Sequence, residues 1–153
     1  AGFAAPNWRS DQKIFRVEDQ YELLYASDLR GSYPFFPEVN GIHFKTLQIP
    51  VTLPCTHECI QAGIAKSKVV KYIVSKLTNG INVWTIHDWY EGLSEEEFVN
   101  RFIRLAQTEG YSFLTLQKIA VRLLSQRESI ESCHIENRPV EGGIGEVTHQ
   151  VVH

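Results

Sequence analysis

Residues 31–41 limit what this chain can become more than any other stretch. They carry Gly31, Pro34, Pro37 and Gly41 among Tyr33, Phe35 and Phe36. Proline fixes φ and removes a backbone donor, while glycine admits left-handed conformations, so no regular helix can run through this segment. Its aromatics imply that the turns pack onto something. The flanks read as extended chain. Residues 13–18 alternate apolar and polar with period two, and residues 42–49 return to a strand pattern. Residues 20–26 are ambiguous, because Leu24 breaks the alternation of Tyr21, Leu23 and Tyr25. Pro50 and Pro54 then fence off a short segment, so the first third is expected to be β-rich.

Further on the period changes. Val70, Ile73, Val74 and Leu77 recur at helical spacing, which predicts an amphipathic helix over 66–77. Residues 81–86 read as a short strand. Ser94 and Glu97 have the spacing of a capping box, followed by a helix with Phe98, Phe102 and Leu105 on its buried face and Gly110 at its end. A second helix is expected from Ser112, its inner face formed by Leu116, Ile119, Ala120, Leu123 and Leu124. The tail loses helical period. Residues 133–140 and 146–152 flank Gly142, Gly143 and Gly145, the pattern of a β-hairpin.

The 153 residues are 43% hydrophobic and 22% charged, which excludes disordered, collagen-like and coiled-coil classes and suits a single globular domain. No apolar run approaches the roughly 18 residues of a membrane helix, and no membrane partner is expected. The chain lacks Met, and its opening residues 1–6 read as a cloning linker. The expectation is then one α+β domain over 7–153 taken from a larger protein. Its β-rich portion, 7–60, would pack on a helical portion spanning 66–152. Lys plus Arg total 15 against 18 acidic residues, a net charge of −3 that lacks the basic surplus usual in nucleic-acid binders. Cys55, Cys59 and Cys133 are an odd set that cannot pair fully, so an intracellular setting is expected, nucleus or cytoplasm.

The order helix, strand, helix, turn, helix, hairpin over 66–152 resembles a winged helix, and residues 102–121 resemble a helix-turn-helix motif. Leu105 and Ala106 match the packing positions of its first helix, Gly110 the turn, and Leu116 and Ile119 the inner face of its second. Glu109 departs from the pattern, where an apolar residue is usual. The resemblance implies that Ser112, Phe113, Leu114, Gln117 and Lys118 would face a partner. No arginine among them could contact guanine bidentately, and outward Phe and Leu suit a protein surface better.

The function expected from these residues is a non-catalytic, regulatory protein-interaction module whose partner is another protein. One contact face would hold Phe113, Leu114 and Lys118, and another Tyr33, Phe35 and Phe36. The alternative is a nucleic-acid-binding winged helix using Lys66, Lys68, Lys71, Lys118 and Arg122. No cofactor is expected. Zinc is the metal that Cys55, His57, Cys59 and Cys133 would suit, but only one knuckle is visible and buried Cys commonly serves as a small hydrophobe. A second alternative is a fragment of an enzyme with a Cys/His site, Cys55 or Cys59 with His43, His87 or His149. His87 and Asp88, beside Trp89 and Tyr90, form the best acid–base cluster, although side chains of adjacent residues diverge. The glycines at 142–145 are followed by neither a helix nor a Lys-Ser/Thr, so they are not a phosphate loop.

Overall fold

The computed structural model describes residues 1–92, 96–143 and 145–152. The fold is mixed α+β. Its strands are β1 (Gly2–Phe3), β2 (Tyr25–Ala26), β3 (Phe36–Val39), β4 (Ile42–His43), β5 (Leu47–Gln48), β6 (Ser132–Pro139) and β7 (Glu146–Gln150). Its α-helices are α1 (Gln12–Gln20), α2 (Thr56–Gln61), α3 (Val69–Val74), α4 (Glu96–Thr108) and α5 (Leu116–Leu124). The chain divides into two compact units, one of residues 1–52, 114–139 and 145 onward, the other of residues 53–113 and 140–144. Among the described residues, no helix is long and apolar enough to cross a membrane.

The first unit holds a parallel sheet in the order β1-β2-β5 and a four-stranded sheet in the order β4-β3-β6-β7. Parallel neighbours need a crossover, and α1 supplies it between β1 and β2. Residues 13–18 were expected as a strand and are helical instead. Asp11 decides this: its Oδ1 accepts from the amides of Lys13 at 2.8 Å and Ile14 at 3.1 Å, satisfying two of the four donors a helix start leaves open. The helix then buries Phe15 and Glu18, three positions apart. The opening residues are not a linker outside the fold. Gly2 and Phe3 pair with Tyr25 and Ala26, and the Ala5 amide donates to Asp28 Oδ1 at 2.7 Å.

The turn-rich segment becomes a hairpin. Asn40 and Gly41 join β3 to β4 with φ of 52° and 76°, and two positive φ values are what a type I′ turn requires. β3 pairs in parallel with β6, and β6 pairs antiparallel with β7, which realises the expected C-terminal hairpin. Phe15, Leu29, Phe35, Phe44 and Cys133 form the core, with the rings of Phe15 and Phe44 5.4 Å apart.

The second unit packs α2, α3 and α4 around Leu53, Cys59, Val69, Val70, Ile73 and Phe102. Cys55 caps α2: its Sγ accepts from the Glu58 amide at 3.5 Å while Glu58 Oε2 accepts from the Cys55 amide at 2.8 Å. The helix expected over 66–77 is shorter. A 3-10 turn at Lys66–Lys68 leads into α3, which is rich in β-branched residues of modest helix propensity. Residues 81–87 form no ladder. The Leu53 amide donates to the Val83 carbonyl at 3.1 Å, and Trp84 turns its ring onto Phe102, 4.4 Å between centroids.

Phe98, Phe102 and Leu105 face the core from α4 as expected, and Gly110 follows it at φ 89°. Ser94 of the expected capping box lies outside the described residues. The next helix does not begin at Ser112. Thr115 Oγ1 accepts from the Lys118 amide at 3.3 Å and starts α5 at Leu116, so residues 109–115 separate α4 from α5, more than the roughly three- to four-residue turn of a helix-turn-helix. The two helices also belong to different units.

One glycine in the hairpin loop is dictated by its surroundings. Gly142 has φ of 72°, and a Cβ there would run into the Glu58 carbonyl of the same unit.

Candidate functional site

The strongest chemical arrangement in the second unit is built on the turn at Asp88–Gly92. Its backbone has π-helical hydrogen bonding, a form that recurs at functional positions because it displaces side chains from regular helical register. The turn brings Glu91 back beneath His87. Glu91 Oε2 accepts from the His87 amide at 2.7 Å and lies 3.5 Å from the ring Nδ1. The Glu91 side chain is wholly buried and the His87 side chain is 33% exposed, so a fixed carboxylate stands behind an imidazole that can reach solvent. Glu91 Oε1 has no hydrogen-bond partner among the described residues. Such a carboxylate orients the ring.

The rim beside this pair is apolar. Ile86 is 47% and Trp89 59% exposed, with the Trp89 ring 5.6 Å from that of His87 and 5.7 Å from Tyr90. Asp88, the acid adjacent to His87, points elsewhere and its Oδ1 accepts from the Trp89 amide at 2.8 Å. The acid that meets His87 is Glu91 and not Asp88. The signal was present as a His and a Glu four positions apart, a spacing at which side chains meet on one side of a helical turn.

A second acidic feature lies in the core of the first unit. Glu18 and Asp28 are buried, and Gln48 ties them together: its Nε2 donates to Glu18 Oε2 at 2.9 Å and its Oε1 accepts from the Asp28 amide at 3.4 Å. Glu18 Oε1 and Asp28 Oδ2 have no other hydrogen-bond partner among the described residues. Burial, then the hydrogen bond to and charge of Asp28, push the Glu18 carboxyl up to about 10. Glu18 therefore holds a proton at neutral pH and donates it to Asp28.

The expected contact face of Tyr33, Phe35 and Phe36 is not an open surface. Phe35 and Phe36 are buried, Phe35 in the core and Phe36 under the Arg127 guanidinium at 4.2 Å, while Tyr33 is half-buried with its hydroxyl 3.3 Å from Glu131 Oε2. An aromatic in a turn-rich segment is here the inner layer of a sheet. Phe113 and Leu114 are exposed but precede α5 instead of riding on it, and Phe113 meets Phe102 edge-on at 6.3 Å. Lys66, Lys68 and Lys71 are exposed in the second unit, and Lys118 and Arg122 on α5 in the first.

Cys55 and Cys59 are buried at α2, while His57 on the same helix is exposed with its Nε2 2.6 Å from Gln61 Nε2. Cys133 is in the first unit, its Sγ accepting from Gln150 Nε2 at 3.5 Å. Among the described residues, no three His, Cys, Asp or Glu side chains are grouped so as to hold a metal ion.

No family model matches the chain. It is similar to two proteins each described as "Probable 4-deoxy-4-formamido-L-arabinose-phosphoundecaprenol deformylase ArnD". The relative from Wigglesworthia glossinidia brevipalpis is 30% identical over 151 residues, covering 97% of this chain and 52% of that protein. The relative from Shewanella sediminis (strain HAW-EB3) is 28% identical over 151 residues, covering 96% of this chain and 47% of that protein. The chain thus spans about half the length of the curated relatives it matches. These relatives overturn the expectation of a non-catalytic, regulatory interaction module, and with it the nucleic-acid-binding alternative. Nearly the whole chain aligns with proteins named as enzymes.

Proposed function

We propose that this chain forms part of a deformylase that hydrolyses the formamide of a lipid-linked amino sugar, with His87 as its acid–base residue. The similarity to deformylases along nearly all of the chain supports the reaction class. The observation that carries the residue assignment is the His87–Glu91 pair, a half-exposed imidazole backed by a buried carboxylate. Cleaving a formamide requires a proton on the departing nitrogen, because an unprotonated amine anion leaves poorly. Imidazolium is a donor matched to neutral pH. In the proposed reaction neutral His87 takes a proton from the water that adds to the formyl carbon and then delivers that proton to the departing nitrogen as the C–N bond breaks, so that the amine and formic acid leave and the ring returns to its neutral form. Glu91 is a positioning residue: it holds the ring in place. The exposed Trp89 and Ile86 give the rim an apolar character suited to a substrate with a lipid arm.

The test is formate release from a formamido-pentose polyprenyl phosphate by the protein that carries this sequence. His87→Gln is expected to lower kcat by about 10²–10⁴-fold, the usual contribution of general acid–base catalysis. Glu91→Gln should lower kcat less and shift the pH–rate profile, and Asp88→Asn should leave both unchanged. Formate release by His87→Gln at the parent's rate, or none by the parent itself, would refute the reading.

A further inference from the structure

The first unit contains a cavity of about 410 Å³ at the carboxyl ends of its parallel strands. β2 and β5 run parallel, and the pairing continues past them through bridges from Arg30 to Val51 and from Arg30 to His149. The crevice beyond the carboxyl ends of parallel strands is where α/β proteins commonly take their ligands. Arg30, Ser32, Arg138, His149 and Glu136 line this one.

The cavity is built for an anion. The Arg30 backbone is held on both sides, its amide donating to the Thr148 carbonyl and its carbonyl accepting from the Gln150 amide, each at 2.9 Å. Its guanidinium stacks 4.9 Å from the centre of the Trp8 ring, which fixes the plane of the group. Gly31 is required next to it. A Cβ at that position would lie 2.7 Å from Gln150 Oε1, the atom that accepts from the Ser32 amide at 2.8 Å. Arg138 approaches from β6, paired with Glu136 at 3.4 Å, and both side chains are about half exposed. Among the described side chains that line it, two are guanidinium groups and one is a carboxylate. Between them stands His149, whose pKa is pushed down to about 4 by burial and by the charges of Arg138 and Arg30. Its ring is therefore neutral at physiological pH, and its buried Nε2 has no hydrogen-bond partner among the described residues.

We infer that this cavity binds a phosphoryl group, held by the guanidinium groups of Arg30 and Arg138 and by Nε2 of His149. Planar guanidinium forks match the paired oxygens of a phosphate, and a neutral imidazole N–H supplies a third donor without further charge. The site stands on the cavity alone. Its assignment to the phosphate of a lipid-linked sugar rests on the proposed function.

The experiment is an NMR titration of the His149 ring in the full chain at constant ionic strength. The probes are inorganic phosphate, a pentose 1-phosphate and geranyl phosphate, with acetate as the carboxylate control. All three phosphates are expected to shift the ring resonances saturably and to raise the His149 pKa, because a bound anion offsets the two arginines. Arg138→Gln should weaken binding at least fivefold, and Glu136→Gln should tighten it. Geranyl phosphate binding about tenfold tighter than inorganic phosphate supports a lipid headgroup as the source, and equal affinities support a free phosphate. A ring unmoved by all three, acetate binding as well as phosphate, or Arg138→Gln binding like the parent would each overturn the site. Formate release is not read in this experiment, so loss of the deformylase reading and loss of the phosphoryl site are separate results.

Discussion

Replacing Glu18 by Gln should change how the stability of this protein depends on pH. Glu18 is buried against Asp28, with Asp19 nearby and Gln48 bound to its other oxygen, and its carboxyl is pushed up to about 10 from an ordinary 4.5. Asp19 itself is held by the amides of Lys45 and Thr46 and by the Thr46 hydroxyl. A carboxyl whose pKa is raised on folding binds its proton more tightly in the native state than in the unfolded chain. Its stabilising contribution is complete below about pH 4.5 and falls as pH rises towards about 10. Within that window the slope is on the order of 1 kcal/mol per pH unit for one proton, so the parent loses a few kcal/mol at most between pH 7 and pH 9 on this account alone. Glutamine reproduces the protonated acid: its oxygen can accept from Gln48 and its amide can donate to Asp28, with no proton to lose. The assay is urea unfolding followed by tryptophan fluorescence at pH 7, 8 and 9 for parent and Glu18→Gln. Titrations common to both chains cancel in the difference. The range also avoids His149, which titrates between about 4 and 6.5. The difference in unfolding free energy should grow with pH in favour of the variant, and parallel curves would refute the shared proton.

Two further substitutions test the local geometry. Gly142→Ala should destabilise by more than the roughly 1–2 kcal/mol of a left-handed alanine, because the methyl group also meets the Glu58 carbonyl; Gly41→Ala, with a similar φ of 76° and open space around it, should cost only the backbone term. Equal urea midpoints for these two variants would contradict the close approach at Gly142. Asp11→Ala should cost about 1 kcal/mol through loss of the cap on α1, and Asp11→Asn should restore most of it, which thermal unfolding would register.

The elements legible in the sequence are those whose causes are local. The C-terminal hairpin, the apolar face of α4 and the turn glycines follow from spacing and from φ requirements within a few residues. The misread elements are decided by a competing cause. Residues 13–18 satisfy a strand pattern as well as a helical one, and a single aspartate two residues upstream selects the helix. Phe35 and Phe36 look like a loop surface until Phe36 pairs with Ser132 of β6, Phe35 bridges Gln48, and both rings are buried. The acid–base pair was half legible, since His87 was visible but its acid depends on the π-helical turn that returns Glu91 beneath it. The arginine cavity was not legible at all. Its residues come from Arg30 and the far C-terminal strands, and nothing short of the parallel bridges brings them together.

The interleaving of the two units bears on synthesis as well as on architecture. The middle stretch, 53–113, contains nearly all of one unit and emerges from the ribosome as a continuous piece. The other unit has to wait. β3 is made early, pairs with β4 on one side, and meets its second neighbour β6 only when residues beyond 131 have appeared. Until then the nascent chain presents an open strand edge with Phe35 and Phe36 beside it, the combination most prone to pair with another chain. Late closure of a long loop is also slow. A stalled or truncated product ending before β6 would thus keep that edge of β3 open.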